Sequence, residues 1–77
     1  MGAIMLLNKI NPKLLLNSKW TAIKPVNKEK HFIVTEVQYD EEGYVVHCLI
    51  EAVLTQRTEP IDWQQLKHTD CWQHGWK

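Results

Sequence analysis

No run of apolar residues in this chain is long enough to span a bilayer. The longest early run, Ala3 to Leu7, falls far short of the roughly 20 residues a membrane helix needs, and it lacks the cleavage site of a secretory leader. Cysteine is scarce. Cys48 and Cys71 are too few for a disulfide framework, which points to a reducing cytoplasm. Gly2, Gly43 and Gly75 stand alone, so there is no glycine-rich phosphate loop. Net charge is zero at pH 7, which argues against a strong general nucleic-acid binder. There is only one Phe and there are two Tyr. At 77 residues the chain has room for one domain with a small core.

Tryptophan is the exception. Trp20, Trp63, Trp72 and Trp76 bring the largest apolar area a side chain can offer, and such rings fill small cores or grip partners. Core filling is the commoner fate. We expect Trp63 and Trp72 to be core and Trp20 to be buried on one ring face beside wet lysines. Trp76, near the C-terminus, should be partly exposed.

The stretch Tyr44 to Gln56 organises the rest. Its even positions, Tyr44, Val46, Cys48, Ile50, Ala52 and Leu54, are apolar without a break. Its odd positions, Val45, His47, Leu49, Glu51, Val53 and Thr55, are mixed. Strand side chains alternate between faces, so this is a long central strand with one dry face and one half-wet face. A second strand, about Lys30 to Tyr39, precedes it across the turn Asp40-Glu41-Glu42-Gly43, with Gly43 as the positive-φ residue. In its second half Ile33, Thr35, Val37 and Tyr39 are the drier set. Pairing Tyr39 with Tyr44 sets Val37 on Val46, Thr35 on Cys48 and Ile33 on Ile50, and a one-residue slip would exchange the faces. That register also places His47 opposite Glu36.

Around this hairpin the signals are local. Residues 1–10 read as an N-terminal extension and residues 11–77 as the domain. Asn11-Pro12 can open a helical turn, ending near Asn17-Ser18. Lys19 to Ile23 reads as a strand, followed by a loop from Lys24 to Lys28 that holds Pro25. Arg57 to Ile61 reads as a short return strand that Pro60 confines to an edge. Asp62 and Gln65 have capping-box spacing, with Ile61 and Leu66 as the staple. A second helical start is expected at Thr69 or Asp70, closed by a left-handed cap at Gly75. The expected fold is mainly β, a small α+β domain. It has a twisted antiparallel sheet of about four strands, with an SH3-like barrel as its closed form, and short helical turns at both ends. The alternative is an open α+β sheet with a true N-terminal helix.

Residues 1–30 carry six lysines against Glu29, a net of +5, while residues 31–62 carry seven acids against Arg57, a net of −6. Such asymmetry marks either a binding face or a basic front folded over an acidic middle, and the second is the plainer reading. His68, Cys71 and His74 recur every third residue, but no Cys-x-x-Cys pair or fourth ligand accompanies them, so no metal or cofactor is expected. Cys71 with His68 or His74 is the only nucleophile–base pair, in a chain with little room for a pocket. The acids Asp40, Glu41 and Glu42 sit in a wet turn. These observations favour a non-enzymatic module that contacts another protein. The second choice is an RNA- or DNA-binding module that uses lysines for charge and an indole for stacking. The candidate contact residues are Trp20, Lys19, Lys24, Lys28, Lys30 and Trp76. The sequence sets no oligomeric state.

Three blocks form a recognisable front half: Asn11-Pro12-Lys13, Ser18-Lys19-Trp20-Thr21-Ala22 and Glu29-Lys30-His31-Phe32-Ile33-Val34-Thr35. Glu51-Ala52-Val53-Leu54, Ile61-Asp62-Trp63 with Leu66-Lys67, and Trp72 with Gly75-Trp76-Lys77 complete it. From about Asn11 to the C-terminus the chain resembles a small Trp-rich bacterial family of unknown function. The resemblance implies a bacterial, cytoplasmic protein and lends no catalytic residue or ligand.

Overall fold

The computed structural model describes residues 7–77. Among these residues the architecture is one open antiparallel sheet with short 3-10 turns and no long helix. The strands are β1 (Lys19–Val26), β2 (Glu29–Tyr39), β3 (Val45–Ala52), β4 (Thr58–Pro60) and β5 (Trp72–His74). Their order across the sheet is β4-β3-β2-β1-β5, so β2, not β3, is central. The mainly β expectation holds, with five strands in place of about four. The sheet does not close into an SH3-like barrel. Its edges, β4 and β5, are three residues each, and the molecule is only 16 Å thick along its shortest axis.

The β2–β3 hairpin departs from the expected register for a local reason. Val34 pairs with Ile50, but Glu36 pairs with Leu49 and Val37 with Cys48, so Thr35 is an extra residue on β2. Gln38 pairs with His47 and Tyr39 with Val45, so Val46 is an extra residue on β3. Each bulge reverses the alternation of faces beyond it. Val34 and Val37 therefore both meet the core, Thr35 is exposed, and Val45 packs inward while Val46 is 63 % exposed. Tyr44 and Leu54, expected on the dry face, lie outside β3 and are exposed. His47 still meets Glu36, Nε2 to Oε2 at 2.9 Å, but diagonally.

β1 runs three residues further than expected. Pro25 lies within it, and the turn is the two residues Asn27 and Lys28, both at positive φ. Pro25 is tolerated because β5 pairs only with Trp20 to Ala22, which leaves the end of β1 at an edge.

At the front, the Asn11 side chain accepts from the Lys13 amide and Pro12 opens a single 3-10 turn, Pro12–Leu14. Of the three leucines there, only Leu15 is buried. Residues 1–6 of the expected extension lie outside the described residues. Asn8 is tied down, since its amide donates to the Lys67 carbonyl and its side chain to those of Leu66 and Trp72. The second 3-10 turn, Trp63–Lys67, is capped by Asp62, whose carboxylate accepts from the Gln64 amide. Where a second helical start was expected, residues 69–71 form a turn into strand β5.

One sheet face carries the core: Leu15, Trp20, Phe32, Val34, Cys48, Ile50, Ala52 and Leu66. Trp63 and Trp72, expected in the core, are partly buried at its border, while Trp20 is fully enclosed. Both cysteines are free. Cys48 is buried, and burial raises its thiol pKa, whereas Cys71 is exposed. A thiol reagent should therefore titrate one cysteine in the native protein and the second only in denaturant. Two fast-reacting native thiols would mean that the core does not hold Cys48 as described.

Candidate functional site

The other face of the sheet is organised by the last three residues. Gly75, at φ +85, turns the chain out of β5, a conformation that glycine adopts without strain. The segment Gly75–Lys77 then lies back across β1 and β2. The Gly75 amide donates to the Lys19 carbonyl at 2.7 Å, and Thr21 Oγ1 donates to the Gly75 carbonyl at 2.7 Å. The Lys77 amide donates to Thr21 Oγ1 at 3.0 Å, and His31 Nε2 lies 3.0 Å from the Lys77 oxygen. Thr21 is 2 % exposed, and its hydroxyl is satisfied both as donor and as acceptor.

Trp76 is held by this strap. Its indole N–H donates to the Phe32 carbonyl at 2.9 Å, and Lys19 Nζ stands 4.7 Å from its ring centroid. The His31 ring lies tilted beside it at 6.0 Å. The indole is nevertheless 43 % exposed, as expected from its place in the sequence. Cross-strand partners place Thr21 beside His31, and Lys19, Ile33 and Glu51 in one row across β1, β2 and β3. Ile23 and Val53, both over two-fifths exposed, lie at the margins of this face. The site is thus a fixed aromatic with a cation on it, set in a mixed apolar and charged surface.

The expected contact residues do not converge. Lys19 and Trp76 are stacked together. Lys24, Lys28 and Lys30 are exposed around the β1–β2 turn. Trp20 is on the core face, 1 % exposed, stacked on His74 at 4.6 Å, with its indole N–H donated to Ser18 Oγ. It offers no ring face to a partner, because the packing that makes it the core anchor also covers it. Thr21 and His31, which position the strap, were missed. Nothing local in the sequence signals that a threonine will bond residues more than fifty positions away.

Nor does the basic front cover the acidic middle. Among the described residues the ion pairs are Glu36–His47, Glu29–Arg57 and Arg57–Glu59, and none involves a lysine. Lys19 and Lys67 rest instead over Trp76 and Trp63. Glu29 is the one buried charged side chain among the described residues. Arg57 grips its carboxylate with Nη2 at 2.7 Å and Nε at 3.1 Å, and Thr55 Oγ1 donates to it as well. These bonds, Arg57 first and Thr55 second, hold its pKa below the ordinary value and outweigh desolvation. The cluster lines a groove of about 260 Å³ with Phe32, Trp72 and Cys71. A larger, more apolar groove of about 390 Å³ runs along Ile10, Leu14, Leu15, Trp20 and His74.

His74 is occupied against Trp20, Cys71 is in the exposed turn, and His68 ends the second 3-10 turn. Among the described residues no three His, Cys, Asp or Glu side chains are grouped to hold a metal ion. Among them, too, no helix is long and apolar enough to cross a membrane.

No curated protein and no solved structure matches the chain. A comparison with protein families matches residues 18–77, which takes in all five strands and the strap but leaves the Pro12–Leu14 turn outside. With four tryptophans placed in the core, on its border and on the strap, the chain belongs to the tryptophan-rich protein family.

Proposed function

We propose that this domain is a non-enzymatic interaction module that binds another protein through the open sheet face around Trp76. The observation that carries the reading is the way Trp76 is held. A large indole is kept two-fifths exposed by its own N–H bond and by the anchored backbone on either side. An exposed aromatic that is already ordered loses little conformational freedom on binding, and such residues dominate protein interfaces. The two free cysteines support a reducing cytoplasm as its setting.

A second reading has one observation in its favour. Lys24, Lys28 and Lys30 cluster around an exposed hairpin turn and pair with no acid, a usable contact for phosphate. The two readings differ in salt behaviour. Immobilised protein should retain protein partners from lysate after nuclease treatment and at raised salt, and Trp76→Ala should abolish that retention. Retention lost with nuclease, together with salt-sensitive binding to a plain oligonucleotide, would replace the first reading with the second.

A further inference from the structure

We propose that the partner of this face is a second copy of the chain, related by a two-fold axis along β2 past Ile33; this rests on the reading of the face as a protein-binding surface. The charges carry the first part. Lys19 on β1 and Glu51 on β3 are the cross-strand neighbours of Ile33 on either side. Two strand spacings, roughly 10 Å, separate them, and neither forms an ion pair among the described residues. A two-fold rotation about β2 exchanges the β1 side with the β3 side. It sets Lys19 of each copy against Glu51 of the other and Ile33 against Ile33. The pairing is made twice, as an isologous interface requires.

Relief carries the second part. The strap Gly75–Lys77 makes its hydrogen bonds to Lys19, Thr21, His31 and Phe32, all on β1 and β2. That half of the face is raised. The β3 half presents Leu49 and Val53 instead. The same rotation lays the raised half of each copy on the low half of the other, so Trp76 meets the apolar side chains beside Glu51. A face that is not stepped in this way would have no reason to prefer its own copy.

The layer count agrees. Sheets are normally buried between two layers, and here the 3-10 turns and the core lie on one side only. The molecule is flat, 41 by 33 Å across its longer axes and 16 Å along its shortest, a shape with room on one broad side for the roughly 800 Å² per partner that a standard interface takes. A net charge of zero leaves no long-range repulsion between copies.

Sedimentation equilibrium of the full chain tests this. At ~100 µM, well above a micromolar dissociation constant, the expected mass is twice 9.1 kDa. Lys19→Glu and Glu51→Lys each set like charges together and should weaken association roughly 100-fold or more. The double variant Lys19→Glu with Glu51→Lys should restore the dimer, which also shows that neither reversal merely unfolds the chain. A monomeric parent at that concentration, a single reversal whose dissociation constant stays at the parent's, or a folded double variant that stays monomeric overturns the proposal. A monomeric parent that still captures a different protein in a Trp76-dependent way would remove self-association alone and leave the broader reading standing.

Discussion

Trp20→Ala should unfold the protein or bring it close to its transition midpoint before any urea is added. Trp20 is the largest fully buried side chain, 1 % exposed. Its ring stacks on His74, its N–H reaches Ser18 Oγ at 2.8 Å, and that hydroxyl in turn bonds the Leu15 carbonyl. Removing the indole opens a cavity beneath the front turn and leaves Ser18 without its donor. Such truncations cost ~3–5 kcal/mol. A whole domain has only ~5–15 kcal/mol, and a small one lies toward the lower end. Trp63→Ala and Trp72→Ala remove rings that are only partly buried at the border of the core, so their losses should be smaller. Trp76→Ala should be mildest for stability, because its ring is 43 % exposed. Urea unfolding of the four single variants, followed by circular dichroism, gives the order. If Trp20→Ala melts at the parent's urea concentration, the enclosed core described above is wrong.

That ordering was only half legible in the sequence. Alternation found the β2–β3 hairpin and the dry row Cys48, Ile50 and Ala52, because a period of two survives wherever a strand is regular. It failed at Thr35 and Val46, since a bulge inserts one residue and no residue type there announces it. The caps at Asn11 and Asp62 were legible because capping is a contact over two or three positions. The strap was not. Gly75 was read as a helix cap, and its positive φ is real, but it follows a strand rather than a helix. The bonds from Thr21, His31 and Phe32 to residues 75–77 span more than forty positions, and local patterns carry no information at that range. Nearness to the C-terminus predicts the partial exposure of Trp76, which is 43 % exposed, but the wet lysines beside Trp20 suggest one open ring face, whereas that ring is enclosed on the core side of β1.

Glu29→Gln should lower the urea midpoint near neutral pH, and the gap from the parent should close as the solution is acidified. Glu29 was visible in the sequence only as the one acid among six lysines, yet it is 4 % exposed and receives three hydrogen bonds. Those bonds join the start of β2 to Thr55 and Arg57, in the connection between β3 and β4, and Arg57 passes the contact on to Glu59 at 2.8 Å. The amide that replaces the carboxylate keeps one acceptor oxygen but loses the charge and half of the bidentate grip. Arg57 then has only the exposed Glu59 as a charged partner. The pH dependence follows from the direction of the Glu29 shift. Its folded pKa lies below the ordinary 4.5, so the unfolded chain takes up the proton first. The stabilisation is complete above about 4.5, declines as pH falls below it, and is gone once the folded carboxyl is itself protonated. The glutamine variant has no proton to bind and should lack this part of the acid sensitivity. Glu59→Gln, at a carboxylate that is half exposed, should change the midpoint little in the same titration. A parent–variant gap at Glu29 that stays constant through acid would show that shape, and not charge, is what Arg57 recognises there.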